Sequence, residues 1–332
     1  MNRPLLAVSF PLHAAARATL AEEIGEAAEI VALHDLGPTE RTAILARATV
    51  LLARNTGREL QPGEAGLLAK AKLVQFMTAG VDYIPLRALP EDVPIACNGG
   101  AYAEPMAEHG LAMVLAAAKR LAIEQATMKQ GGFNQFANNR MLAGGVCGIL
   151  GFGGIGIAMA RLMRAMGMRI HAIRRSGTSE EPVDWIGTPD RLDEMLAASD
   201  VLVLSLPLTN ATRGSIDARA LRVMKPDAIL VNLARGEIVA EEDLYRHLLA
   251  NPGFTACIDA WWIEPVRHGH FRMDQPFLDL PNVIASPHNS ASVHGIQAVA
   301  LRHAATNIRR VLDGLPPANL IGVAEREAAP PE

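Results

Sequence analysis

Residues 151–156 read GFGGIG, which sets Gly151, Gly153 and Gly156 in G-x-G-x-x-G register. The apolar run VCGIL at 146–150 precedes them, and IGIAMARLMRAM, apolar at helical spacing, follows. Alone, the three glycines are a weak signal. Between a strand pattern and a helix pattern they prescribe the first β-turn-α unit of a dinucleotide-binding fold. Gly151 permits the tight turn, Gly153 lets the backbone approach a pyrophosphate, and Gly156 lets the helix pack on the sheet. The helix N-terminus adds unbonded amides and positive potential.

The rest of the chain repeats this rhythm. Downstream, MRIHAI, DVLVLSL, AILVNLA, TACIDA and NVIAS predict further strands, making six with VCGIL. That is the strand count of a doubly wound nucleotide fold. Upstream, LLAVSF (residues 5–10), EIVAL, TVLLA, KLVQFM and VPIA alternate with helical stretches such as 14–24, which indicates a second parallel sheet of βα units. A long helix over 104–125 is expected to connect the two, and another over about 293–313 follows the last strand. At 332 residues, half of them apolar, the chain is long enough for two cores. The expected domains are 99–292 for the dinucleotide, and 1–98 with 293–332 for the substrate. The tail AEREAAPPE is too charged and proline-rich to fold alone.

The strand that follows the fingerprint ends at Arg174, Arg175 and Ser176, about twenty residues on, where an NAD site usually carries Asp or Glu for the ribose hydroxyls. Two guanidinium groups and a hydroxyl instead favour a 2′-phosphate, so NADP(H) is the preferred cofactor and NAD(H) the alternative. The net charge of −4 and pI near 6.2 give no electrostatic case for nucleic acid. Cys97, Cys147 and Cys257 are widely spaced and odd in number, which argues against a disulfide framework or a zinc site and for a reducing cytoplasm. The longest apolar stretch, 111–118, is too short to cross a bilayer.

Three later strand ends, VNLARGEIV, IDAWWIEP and ASPHNSAS, carry polar residues where side chains meet the ligand crevice of such folds. With the fingerprint, they resemble the D-isomer-specific 2-hydroxyacid dehydrogenases, over nearly the whole chain and in the family's order. The resemblance implies two Rossmann-like or flavodoxin-like α/β domains with doubly wound parallel sheets and an active-site cleft between them. It implies that Arg235 grips the substrate carboxylate and polarises the carbonyl, that His288 is the acid/base, and that Glu264 is its partner. Gly153, Gly154 and Ile155 would approach the pyrophosphate; Leu206, Pro207, Thr212, Leu233 and Ala234 would line the cofactor, with Asp259 near the nicotinamide amide. TAGVDYI matches the loop whose amides hold the substrate carboxylate, nominating Ala79 and Gly80, and Arg54 near the end of an N-terminal strand is a further substrate contact.

These residue types suit the chemistry. Hydride addition to a ketone carbon builds negative charge on oxygen, which a near-neutral histidine balances with a proton and a planar guanidinium stabilises. The expected reaction is reversible reduction of a small 2-oxo acid such as glyoxylate or hydroxypyruvate, with no metal; the resemblance implies a homodimer. With no regulatory domain after 314, short reductases match better than the serine-pathway phosphoglycerate enzymes. An NAD-linked enzyme acting on 3-phosphoglycerate, or a corepressor-like dinucleotide sensor, is the alternative. The chain departs from the family pattern at Trp261, Trp262 and the long segment VRHGHFRMDQPF, whose Arg267, His268, His270 and Arg272 are expected to face solvent as charge runs usually do. His13, His34, His109 and His303 are expected at the surface or in packing.

Overall fold

The computed structural model describes residues 3–328 and divides into two compact units, one running up to Tyr102 and resuming at Val293, the other Ala103–Ser292. In the first, strands β1 (Leu5–Val8), β2 (Glu29–Ala32), β3 (Val50–Ala53), β4 (Leu73–Phe76) and β5 (Ile95–Ala96) pair in parallel in the order β2-β1-β3-β4-β5. Helices α1 (Ala14–Ile24), α2 (Pro38–Arg47) and the single turn α3 (Thr56–Glu59) connect the first strands. Sheets covered on both faces need strands apolar on both sides, and β1 reads LLAV for that reason. Leu5 and Ala7 pack with Leu45 of α2, while Leu6 and Val8 pack with Leu20 and Ile24 of α1. The first strand closes at Val8 rather than residue 10, and Ser9 turns its hydroxyl to Leu52 O and Glu59.

The second unit opens with α4 (Ala103–Ala118) and α5 (Leu121–Lys129). The single helix expected over 104–125 is therefore two. Arg120 takes a left-handed backbone, φ 54°, and the Arg140 amide takes the Ala118 carbonyl that a continuing helix would have used. Then follow β6 (Val146–Leu150), α6 (Gly154–Ala165), β7 (Arg169–Ile173), β8 (Trp185–Gly187), α7 (Leu192–Ala198), β9 (Val201–Leu204) and α8 (Ala218–Val223). After these come β10 (Ile229–Asn232), α9 (Glu241–Ala250), β11 (Thr255–Ile258), the short turn α10 (Pro265–His268) and β12 (Val283–Ala285). All seven strands are parallel, in the order β12-β11-β10-β9-β6-β7-β8.

Seven strands replace the six expected. The extra one, β8, is only three residues long, and Asp184 beside it anchors the Ile170 amide at 2.7 Å through its side chain. The strand order reverses between β7 and β9 on either side of β6, which makes the carboxyl ends of these strands the ligand-binding edge of an open α/β sheet.

The chain returns to the first unit with α11 (Ile296–Leu312) and α12 (Val323–Ala328). Ala300, Leu301, Ala304 and Ile308 of α11 complete the α1 side of the core. Within the charged tail, Arg326 donates to the carbonyls of Leu89, Pro90 and Glu91; residues 329–332 lie outside the described residues. Among the described residues no helix is long and apolar enough to cross a membrane.

Candidate active site

The fingerprint glycines meet three different surroundings. Gly151 has φ +99°, and a Cβ there would lie 2.7 Å from the backbone of Ser205 and Leu206 at the end of β9. A Cβ on Gly156 would lie 2.5 Å from the Gly151 carbonyl oxygen. A Cβ on Gly153, by contrast, would meet nothing within 4 Å. Gly151 and Gly156 are thus required by the fold itself, whereas Gly153 leaves open space at the start of α6. The first bond into that helix runs from Ile157 N to Gly153 O, so the amides of Gly154, Ile155 and Gly156 come before it. Open room facing amides at a helix N-terminus fits a pyrophosphate.

At the end of β7, Arg174, Arg175 and Ser176 are exposed. Neither guanidinium pairs with a carboxylate among the described residues; Arg174 Nη1 reaches only Thr178 O at 3.4 Å. After β9, Leu206 is half-buried and Pro207 exposed, and Thr212 Oγ1 donates to Pro207 O at 2.8 Å, closing that loop. After β10, Leu233 and Ala234 are buried and Arg235 half-buried. Asn232 holds this turn from both sides: Oδ1 accepts from Ala234 N at 3.0 Å and Nδ2 donates to Arg235 O at 2.8 Å.

Two residues 24 apart in sequence form the centre. His288 Nδ1 lies 2.8 and 2.9 Å from the two Glu264 oxygens. A carboxylate only accepts, so Nδ1 carries the proton and Nε2 is the nitrogen left for other chemistry. Glu264 is 5 % exposed and takes a further bond from Trp261 N at 2.6 Å. Burial pushes its carboxyl up. The His288 bond and charge, the Trp261 amide and the Arg235 charge together outweigh that and hold it below the usual carboxylate range. Beside the pair, Asp259 is fully buried and accepts from Ser286 Oγ at 2.6 Å, Asn289 N at 3.1 Å and Ser290 N at 3.4 Å.

Two expectations about neighbouring residues need correction. Arg267 does not face solvent: its side chain is 11 % exposed and forms a two-pronged ion pair with Glu237 at 2.6 and 2.8 Å, two residues beyond Arg235. His268 Nδ1 accepts from the Glu264 amide at 3.0 Å. The segment after Glu264 therefore buttresses the site through Arg267 and His268 Nδ1, while His268, His270 and Arg272 are exposed as expected. His109 on α4 is not a bystander either, since its Nε2 lies 2.9 Å from Ser286 Oγ and 3.8 Å from Asp259. Position 109 sits 177 residues from Ser286, and its only sequence signal was a histidine in the first turns of a helix.

In the first unit, Arg54 is exposed at the end of β3 and its guanidinium lies over the Phe10 ring at 4.3 Å. Ala79 and Gly80 follow β4, half-buried, and among the described residues their amides donate to no backbone carbonyl.

Residues 111–290 match the family model described as D-isomer specific 2-hydroxyacid dehydrogenase, NAD binding domain. A hydroxypyruvate reductase from Thermotoga maritima is 30% identical over 271 residues, covering 80% of this chain and 85% of that protein. A D-3-phosphoglycerate dehydrogenase from Methanocaldococcus jannaschii is 30% identical over 92% of this chain, but the match spans only 57% of that longer protein. The crystal structure of a D-isomer specific 2-hydroxyacid dehydrogenase from Xanthobacter autotrophicus Py2, in complex with NADPH and MES, has a TM-score of 0.80 at 24% identity. It covers 98% of this chain and 100% of its own, a likeness of fold. The chain therefore belongs to the D-isomer specific 2-hydroxyacid dehydrogenase family, as an NAD(P)-dependent oxidoreductase acting on a CH–OH group.

Proposed function

We propose that the protein reduces a small 2-oxo acid of the glyoxylate or hydroxypyruvate type to the D-2-hydroxy acid, reversibly and with NADPH. The observation that carries this reading is the His288–Glu264 pair, with both carboxylate oxygens within 2.9 Å of Nδ1. With Nδ1 held on Glu264, Nε2 is the nitrogen that exchanges a proton with the substrate. The dinucleotide, when bound, supplies hydride from its nicotinamide ring to the carbonyl carbon. The carbonyl oxygen gains the electron pair and takes the proton from His288 Nε2, leaving the alcohol; the reverse reaction returns that proton. Glu264 stabilises the imidazolium that donates. Arg235 binds the substrate carboxylate and the oxygen on which charge develops. The Ala79 and Gly80 amides, with Arg54, are the remaining substrate contacts of the proposal.

For the cofactor, the exposed guanidinium groups of Arg174 and Arg175, which meet no carboxylate among the described residues, support a 2′-phosphate. Gly153, Gly154 and Ile155 take the pyrophosphate, Leu206, Pro207, Thr212, Leu233 and Ala234 line the dinucleotide, and Asp259 lies at its nicotinamide end. Exposed Leu121, Met128, Phe133, Phe136 and Met141 support a homodimer. The thiols Cys97, Cys147 and Cys257, none in a disulfide, suit the reducing cytoplasm.

Steady-state rates with glyoxylate, hydroxypyruvate and 3-phosphohydroxypyruvate test the reading. Turnover of the first two with NADPH is expected. His288→Ala is expected to lower kcat about 100-fold or more, and Arg235→Ala to lower kcat/KM by at least as much. Unchanged turnover in either variant would overturn the mechanism.

A further inference from the structure

His288 is one of three non-glycine residues with positive φ among those described, at +50°. That left-handed backbone is disfavoured for a residue with a Cβ, and it persists only where the surroundings hold it. The surroundings here are specific. The two amides that follow His288, those of Asn289 and Ser290, both point at the carboxylate of Asp259, and the Asp259 side chain has no exposed surface. A buried carboxylate needs donors, and the third is the Ser286 hydroxyl at 2.6 Å, on the other side of His288. Asp259 thus ties together the chain on both sides of the histidine.

The proton count extends the network one residue further. Ser286 has one hydroxyl proton, and the 2.6 Å contact to a carboxylate commits it to Asp259. The 2.9 Å contact between His109 Nε2 and Ser286 Oγ therefore has the histidine as donor. His109 Nε2–H donates to Ser286 Oγ, Ser286 Oγ–H donates to Asp259, and the amides of Asn289 and Ser290 donate to the same carboxylate. Trp261 Nε1 donates to the Ser286 carbonyl at 2.8 Å and fixes the middle of the chain.

Resting on the function proposed above, we propose that Asp259, Ser286 and His109 form a bracket that holds the left-handed backbone of His288, so that His109 and Ser286 are positioning residues for its imidazole. None of them needs to touch substrate. They act by keeping Nδ1 on Glu264 and Nε2 aimed at the reacting oxygen.

The test uses the 332-residue chain. His109 is partly exposed, so His109→Ala is the variant least prone to unfolding, and Ser286→Ala is the second. Each is expected to lower kcat about 10- to 100-fold, the effect of slightly misplacing a catalytic group. KM for the 2-oxo acid and Kd for NADPH should move less than about twofold, because ground-state binding is untouched. His109→Gln keeps an N–H donor and should recover most of the rate. The double variant His109→Ala/Ser286→Ala should lose little more than the worse single one, because the residues act in series.

A readout independent of turnover is the exchange of the His288 Nδ1 proton in 15N-histidine spectra without cofactor, slow in the wild type and faster in His109→Ala. The bracket is overturned if kcat and that exchange are both unchanged, or if the loss lies wholly in KM or Kd. If the wild type turns over no 2-oxo acid, the function proposed above fails instead, and the exchange measurement still decides the bracket.

Discussion

Among single residues, the fingerprint glycines separate fold from function most sharply. Gly156→Ala places a methyl group 2.5 Å from the Gly151 oxygen, a backbone atom that cannot rotate away, and is expected to cost about 3 kcal/mol. Gly153→Ala meets nothing within 4 Å, so the melting temperature should barely move. Its methyl group would instead fill the room beside the first amides of α6, and Kd for the dinucleotide should rise at least 10-fold. Thermal melts and cofactor titrations of the two variants check both halves; equal destabilisation by both would remove the distinction. The motif in the sequence names three glycines alike, and only the distances around them assign different jobs. The same holds for histidine. His288 could be singled out from its place in SPHNSA, whereas His109 acquired its meaning from a hydrogen bond spanning 177 residues.

At the scale of elements, the first unit is cross-braced by one buried ion pair. Arg41 of α2 reaches both oxygens of Glu64, at 2.7 and 2.9 Å, and donates also to the carbonyls of Leu33 and Glu59. The side chains are 9% and 6% exposed. Glu64→Gln removes one charge and leaves the other buried, which is expected to cost about 3 kcal/mol at neutral pH. The pH dependence has a definite sign. The Arg41 hydrogen bond holds the Glu64 carboxyl below its ordinary value, against the opposing effect of burial. Its contribution is therefore complete above the unfolded glutamate value of about 4.3 and is lost as pH falls through the lower folded value. Urea unfolding of wild type and variant at pH 7 and pH 3 should show the gap narrowing in acid. A constant gap would mean that packing, not charge, carries the contact.

Elements also mark where pattern reading stopped short. The strands of the second unit were legible as apolar runs because both faces of a parallel sheet are covered. Strand β8 was not, because WIG is too short to show any period. The break before α5 was equally hidden: no glycine or proline marks residues 119–120, and the cause is the Arg140 amide arriving from twenty residues downstream.

For the whole molecule, ligand linkage offers the simplest check on cofactor choice. A dinucleotide that binds only the folded chain stabilises it by about 2.7 kcal/mol at a hundredfold excess over Kd. NADPH is expected to raise the melting temperature more than NADH at equal concentration. Arg174→Asp should reverse the order and lower the NADPH to NADH ratio of kcat/KM at least 10-fold. An unchanged ratio would show that Arg174 is a solvated turn residue.

The sequence by itself determined the local matters: the strands other than β8, where the glycine turn falls, and that Arg235, Glu264 and His288 follow strand ends. Short-range periodicity and turn chemistry are properties of a few consecutive residues, so they can be read without coordinates. The tertiary structure alone decided which distant groups meet. It turned Arg267 inward onto Glu237, joined His109 to Ser286, and placed the Asp259 carboxylate beneath the strained backbone of His288. Those contacts depend on how neighbouring strands and the helices that cover them stack, and no window of sequence contains both partners.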